Sequence, residues 1–319
     1  MAKLVVVQSL RPEAYQLLQE RGDVDYEITE DFAPDALTDR IEGADALTVR
    51  VAPLPEHVLD AAPDLKVISR HGVGYDNIPV DYCTRRGIAV AVTANANSVS
   101  VAEHALFLML AAARNANVMD SAVRNNRFGE RLNWIGLELM GRTLLIVGYG
   151  RIGRQLAVRA KAFGMRVLVH DPFVQCSDDD DVEIIGSLQD ALREADVLSI
   201  HVPLTRETSN LIGGREMDLL RDRAILVNAS RGGLVDEAAL LQRIRSGKLH
   251  GAGIDVFESE PPPPDSPLLN DPRIILSPHS AALTEESLIA MGRLAVQNAL
   301  DGIDGRLRPE MVVNPSVLN

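Results

Sequence analysis

The sequence predicts an α/β protein built from two Rossmann-like parallel-sheet domains, on three observations. Short apolar strands alternate with helical patterns from the first residues to beyond residue 270, the rhythm of parallel sheets with crossover helices. One strand, Leu144 to Val147, runs directly into Gly148-Tyr149-Gly150-Arg151-Ile152-Gly153 and then into a helical pattern. The length, 319 residues, is two domains' worth at about 150 residues each.

In chain order, Leu4 to Val7 reads as the first strand and Pro12 to Glu20 as a helix. Ala46 to Val49 and Val67 to Ser69 follow as strands, so the first 97 residues read as a complete small α/β domain. A long apolar helix is expected from Ser98 to Ala116, with Ser100 and Glu103 spaced as a capping box, and it suits a connection between domains. After the glycine motif, Arg166 to His170 is a strand ending at Asp171, and the alternation resumes with Val197 to His201, Ala224 to Asn228, Gly251 to Asp255 and Ile274 to Ser277. The acidic run Asp178 to Asp181 reads as solvated loop, and Pro261 to Pro264 as a stiff extended segment. The last apolar helix, Glu285 to Leu300, has no strand left to pair with in the second domain, which points to a return to the first. The expected boundaries are 1–97 with 286–319, and 98–285.

The glycine motif is informative because of its context. Gly148 permits the tight turn, Gly150 lets backbone approach a pyrophosphate, and Gly153 lets the next helix pack closely; Arg151 and Ile152 open that helix, whose N-terminus favours phosphate. Asp171 lies 18 residues past Gly153, near the spacing of a ribose-binding acid. A carboxylate there accepts from ribose hydroxyls and repels a 2′-phosphate, and Pro172 and Phe173 supply no cation, so NAD is expected over NADP.

Composition bounds the rest. Hydrophobic residues at 46% and charged residues at 24% are ordinary for a globular protein, and 4% aromatic residues require an aliphatic core. With 32 Lys and Arg against 45 Asp and Glu, the net charge of −13 argues against nucleic acid and anionic membrane as partners. Cys83 and Cys176 have no metal-type spacing, so neither a disulfide framework nor a metal site is expected. The N-terminus has no targeting pattern and no run is long enough for a membrane span, which suggests a cytoplasmic protein.

In open parallel sheets ligands bind beyond the carboxyl ends of the strands. His201, Asn228 to Arg231, Asp255 and His279 all fall there. Arg231, in NASRGG, suits bidentate capture of a carboxylate. His279 and His201 are both placed to exchange a proton, and position does not choose between them. Glu260, in GIDVFESEPP, is placed to orient His279 and favour its protonated form.

Seven blocks in order, SRHGVGYDNIPV, SVSVAEHALFLML, ELMGRTLLIVGYGRIG, HVPLTRETSNLIG, NASRGGLVDEAAL, GIDVFESEPP and SPHSAALTEES, resemble the D-isomer-specific 2-hydroxyacid dehydrogenase family over nearly the whole chain. The resemblance implies a nucleotide-binding domain inserted into a discontinuous, flavodoxin-like substrate domain, with the active site in the cleft. It implies catalytic Arg231, Glu260 and His279, hydride exchange with a small 2-oxo or 2-hydroxy acid, and a homodimer with Arg124 to Met140, including Trp134, as an arm. His201, Val202, Pro203 and Thr208 match cofactor-side positions. Asp255 and Ala281 match positions near the nicotinamide, Asn228, Ala229 and Ser230 match the strand end beneath its ring, and the amides of Val73 and Gly74 match a carboxylate-binding loop. Ala282 departs from the glycine of the common PHIAG pattern. Arg50 aligns with an arginine that phosphoglycerate dehydrogenases of the family use near the substrate phosphate, and Arg70 and His71 border the carboxylate loop. A substrate with a polar or anionic C3 group is therefore favoured, of the 3-phosphoglycerate, glycerate/hydroxypyruvate or sulfolactate type. The end of the chain at Asn319 is expected to leave no room for the regulatory domain that phosphoglycerate dehydrogenases often carry. NAD(H)-sensing corepressors share the fold and remain an alternative; formate dehydrogenases pair their histidine with glutamine, which Glu260 argues against.

Overall fold

The computed structural model describes residues 1–177 and 179–318, and the chain divides into two compact units, Met1–Asn97 with Leu283–Asn319, and Ser98–Ala282. In the first unit β1 (Ala2–Val7), α1 (Pro12–Arg21), β2 (Val24–Thr29), α2 (Pro34–Ile41), β3 (Ala46–Val49), α3 (Glu56–Leu59), β4 (Val67–Arg70), α4 (Val80–Arg85) and β5 (Ala89–Val92) form a five-stranded parallel sheet in the order β2-β1-β3-β4-β5. That is the flavodoxin-like order. Inside the sheet, β1 is buried from Leu4 to Val7 and β3 throughout, because both faces are covered. β2, VDYEIT, lies at the sheet edge with Asp25 and Ile28 exposed and Tyr26 and Glu27 half-buried, so it lacks the continuous apolar signal.

The second unit begins with α5 (Ser98–Ala113) and α6 (Ala116–Arg124). It continues through β6 (Thr143–Val147), α7 (Arg151–Ala162), β7 (Arg166–His170), β8 (Val182–Ile184), α8 (Leu188–Glu194), β9 (Val197–Ile200), α9 (Gly214–Leu219), β10 (Ala224–Asn228), α10 (Glu237–Arg245), β11 (Leu249–Ile254) and β12 (Ile274–Leu276). Its seven strands are parallel, ordered β12-β11-β10-β9-β6-β7-β8, a dinucleotide-fold sheet with one strand added. Two corrections concern its first helices. The helix ends at Ala113, not Ala116, because Asn115 takes a left-handed conformation (φ 50°) and restarts the chain as α6. Ser100 lies inside α5 rather than capping it, since the helix is already formed at Ser98, and Glu103 pairs instead with Arg159 of α7 at 2.9 Å. In the acidic run, Asp180 and Asp181 are exposed and half-buried Asp179 pairs with Lys161; Asp178 lies outside the described residues.

The final helix, α11 (Glu285–Ile303), closes the first unit. It packs on β3, β4 and β5, and a Cβ on Gly302 would come within 2.4 Å of Val67, so only glycine permits this approach to β4. Asn298 donates to Val92 O at 3.1 Å, Asn314 accepts from Val90 N at 2.8 Å, and Asp304 pairs with Arg21 of α1 at 2.7 Å. Both units have aliphatic cores, Leu4, Leu47 and Ile68 in one and Leu144, Leu145 and Leu226 in the other. No helix among the described residues is long and apolar enough to cross a membrane.

Candidate active site

All seven strands of the second unit are parallel, so their carboxyl ends share one edge, and every site residue expected on that unit falls at that edge. β6 delivers the glycine turn. Gly148 has φ +96° and a Cβ there would lie 2.6 Å from His201 O, while one on Gly153 would lie 2.3 Å from Gly148 O. Gly150 differs: nothing lies within 4 Å of its Cβ position. It stands as the N-cap of α7, followed by Arg151 and Ile152, where backbone N–H groups without intrahelical partners face outward. This open backbone cradle at a helix N-terminus fits a pyrophosphate. Asp171, directly after β7, accepts from Tyr149 N at 2.8 Å and Phe173 N at 2.9 Å, tying the glycine turn to the end of the next strand.

After β9, His201 Nε2 hydrogen-bonds Ser199 Oγ at 2.8 Å, and its buried Nδ1 meets no protein partner among the described residues. Burial pushes its pKa down to about 4, so the ring is neutral near pH 7. That removes His201 as a cationic acid. The loop beyond it is set by Thr208, whose hydroxyl donates to Pro203 O at 2.7 Å, and by Ser230, which donates to Val202 O at 2.6 Å. After β10, Asn228 closes a turn by accepting from Ser230 N at 3.1 Å and donating to Arg231 O at 2.8 Å, with Ala229 buried beneath. A Cβ on Gly232 would fall 1.7 Å from Phe257 O, so the Arg231 turn lies directly against the segment that follows β11.

That segment carries Asp255 and Glu260. Adjacent β12 carries the His279 turn, and the pairing of the two strands brings their loops together. Glu260 Oε2 lies 2.8 Å from His279 Nδ1, and its other oxygen accepts from Phe257 N at 3.2 Å. Asp255 is fully buried. Its carbonyl accepts from His279 N at 2.7 Å, and its carboxylate accepts from Ser277 Oγ at 2.6 Å, Ser280 N at 2.8 Å and Ala281 N at 3.0 Å. Burial raises its pKa, but the hydrogen bonds from His104, Ser277 and the two amides outweigh that and hold it below the usual carboxylate value. The clamp holds His279 in a left-handed conformation (φ 50°), which costs a non-glycine residue about 1–2 kcal/mol. An apolar recess of about 410 Å³, lined by Phe257, Pro262, Leu269 and Leu276, opens beside His279 and Glu260.

Sequence reasoning missed two members of this cluster, Ser277 as a side chain and His104 on α5, whose Nε2 lies 2.8 Å from Ser277 Oγ. The available signal was one imidazole in the mostly apolar run SVSVAEHALFLML.

In the first unit, Arg50 and Arg70 stand at the ends of β3 and β4. Arg50 Nη1 donates to Ser9 O at 3.4 Å, and Gln8 Oε1 holds the next two amides, Val51 and Ala52. Arg70 donates to His71 O. His71 is buried, and burial together with the charges of Arg50 and Arg70 pushes its pKa down to about 4. The loop after it turns at Gly72 (φ 142°), whose amide donates to Thr93 Oγ1 at 2.8 Å. The half-buried Val73 and Gly74 follow, their amides donating to no protein acceptor among the described residues. Among the described residues no group of three or more His, Cys, Asp or Glu is arranged to hold a metal.

A strand, glycine turn and helix with an acid closing the next strand define a dinucleotide-binding α/β protein. The chain belongs to the D-isomer specific 2-hydroxyacid dehydrogenase family: residues 106–281 match the family's NAD-binding domain. It is 38% identical to a D-3-phosphoglycerate dehydrogenase of Methanocaldococcus jannaschii over 99% of this chain and 60% of that one, so it spans about 60% of that relative's length. It is 36% identical to a glyoxylate reductase of Korarchaeum cryptofilum, over 97% of this chain and 95% of that one. The crystal structure of a glyoxylate reductase from Paecilomyes thermophila superposes with a TM-score of 0.89 at 30% identity, covering 99% of both chains.

Proposed function

We propose that the protein is an NAD-dependent dehydrogenase that interconverts a small D-2-hydroxy acid and its 2-oxo acid, with Arg231, Glu260 and His279 as the catalytic set. The observation that carries this reading is the 2.8 Å Glu260–His279 pair on the same sheet edge as the glycine turn. Residues 98–285 take the nucleotide role and residues 1–97 with 286–319 the substrate role. Gly148 to Gly153 receive the pyrophosphate, and Asp171 receives the ribose. Its two amide bonds leave lone pairs for the hydroxyls. His201, Val202, Pro203, Thr208, Asn228, Ala229, Ser230, Asp255 and Ala281 line the remaining cofactor path.

NAD, when bound, supplies or accepts the hydride. Arg231 binds the substrate carboxylate as a planar fork and polarises the neighbouring carbonyl. His279 gives the proton to the oxygen that becomes the alcohol, and Glu260 on Nδ1 fixes the ring so that Nε2 carries that proton. In oxidation the same nitrogen takes the proton back. Val73 and Gly74 offer amides to the carboxylate. Arg50, with His71 as a neutral hydrogen-bonding group, favours a polar or anionic C3 substituent. The Arg231, Glu260 and His279 set does not by itself exclude an NAD(H)-sensing role; the similarity to proteins named as dehydrogenases and reductases favours the enzyme reading.

The direct test is NADH oxidation with hydroxypyruvate, 3-phosphohydroxypyruvate, sulfopyruvate, glyoxylate and pyruvate. Turnover is expected to be fastest with a polar or anionic C3 group, and Arg231→Ala and His279→Ala each to lose about 10³-fold. Tight NADH binding without turnover of any of these would instead support the sensor. The arm region leaves Phe128, Leu132, Ile135 and Met140 exposed, which supports a homodimer. Sedimentation should then report twice the 34.7 kDa chain mass, and a monomer at micromolar concentration rules the dimer out.

A further inference from the structure

We propose that His104 on α5, with Ser277, is a positioning residue for His279, acting through Asp255; the inference rests on the dehydrogenase reading above. Ser277 Oγ gives its proton to Asp255 at 2.6 Å, so toward His104 it can only accept, and His104 Nε2, 2.8 Å away, carries the ring proton that it receives. The same nitrogen lies 3.4 Å from Asp255 Oδ1. The chain of donors therefore runs from a helix to a buried carboxylate. That carboxylate, with its own carbonyl, holds three successive amides, those of His279, Ser280 and Ala281. A residue that contacts no reacting atom thus sets the backbone from which His279 projects.

Geometry explains why α5 is suited to this. One face of the helix is buried in the second unit and packs on β10, β11 and β12, so His104 is anchored independently of the loops it braces. Its ring leans on Phe107, with centroids 5.6 Å apart. Neighbouring Glu103 is paired with Arg159, so Asp255 is the carboxylate that faces His104, and Glu260 the one that faces His279. Loss of the Nε2 donor leaves Ser277 and Asp255 one hydrogen bond short in a buried site. The 277–281 turn then relaxes, and His279 loses its aim at Glu260.

The experiment compares wild type, His104→Leu, His104→Gln and Ser277→Ala. It measures kcat, KM for NADH, melting temperature and, without substrate, the NMR resonances of the His279 amide and ring. Glutamine can place an N–H donor near the reach of Nε2, whereas leucine only fills space. His104→Leu is expected to lower kcat about tenfold, with a smaller change in KM for NADH, and to move the His279 resonances. Glutamine should restore both, and Ser277→Ala should match leucine. Resonances and kcat unchanged in the leucine variant, glutamine no better than leucine, or a loss confined to melting temperature would each overturn the proposal. If leucine prevents folding, Ser277→Ala decides alone. Absence of turnover in the wild type would fail the dehydrogenase reading, while the resonances would still decide whether His104 sets His279.

Discussion

His71 shows how a single buried group makes stability depend on pH. Its pKa is about 4 in the folded protein against 6.5 for an ordinary histidine. Above pH 6.5 neither state is protonated and nothing is lost. Between 6.5 and about 4 the unfolded chain takes up a proton that the folded one refuses, so stability falls as pH falls. At about 1.4 kcal/mol per unit this amounts to about 3 kcal/mol by pH 4. His71→Asn should remove that slope: in urea unfolding at pH 7 and pH 4.5, the wild type's advantage should shrink at the lower pH, and a constant gap would show that His71 does not carry it. At this scale the sequence was informative where chemistry repeats on strand ends. Glu260 and His279 were legible because each follows a strand, and Glu260 was expected to orient His279; the 2.8 Å contact itself depends on β11 and β12 being neighbours, which spacing does not give. His104 was out of reach because its partner lies 173 residues away.

Among elements, the glycine turn makes the sharpest prediction, because one substitution at three positions has three different consequences. Gly150→Ala meets open space at φ −76°, so stability should stay within about 0.5 kcal/mol of wild type, while a methyl group in the cradle weakens NADH binding. Gly153→Ala drives Cβ to 2.3 Å from Gly148 O and should cost about 1–3 kcal/mol. Gly148→Ala meets both a backbone contact and a positive φ and should be the most damaging. Melting curves with and without NADH separate the cases, and equal destabilisation at Gly150 and Gly153 would contradict the geometry. Central strands were legible from their apolar runs. Edge strands β2 and β8 were not, since Asp25 and Glu183 occupy positions open to solvent and Glu27 is only half-buried. α6 went unread beyond Ala116, where the expected helix stopped, although Asn115, a residue type that tolerates left-handed backbone, stands at the break.

For the whole molecule, the discontinuous first unit follows from one absence in the sequence: after β12 no strand remains for the last helix to join. The structure adds what sequence could not, the glycine at 302 and the asparagines at 298 and 314 that seat the returning segment on β4 and β5. On the proposed reading, a dinucleotide-binding sheet whose strand ends hold the Glu260–His279 pair performs stereospecific hydride exchange. The measurement that tests it most directly uses NADH deuterated at C4 with hydroxypyruvate and 3-phosphohydroxypyruvate, followed by chiral analysis of the product. Deuterium at C2 of the D-isomer, lost in His279→Ala and Arg231→Ala, is the predicted result. Deuterium in the L-isomer, or transfer undiminished in both variants, would contradict the assignment of these residues to the reaction.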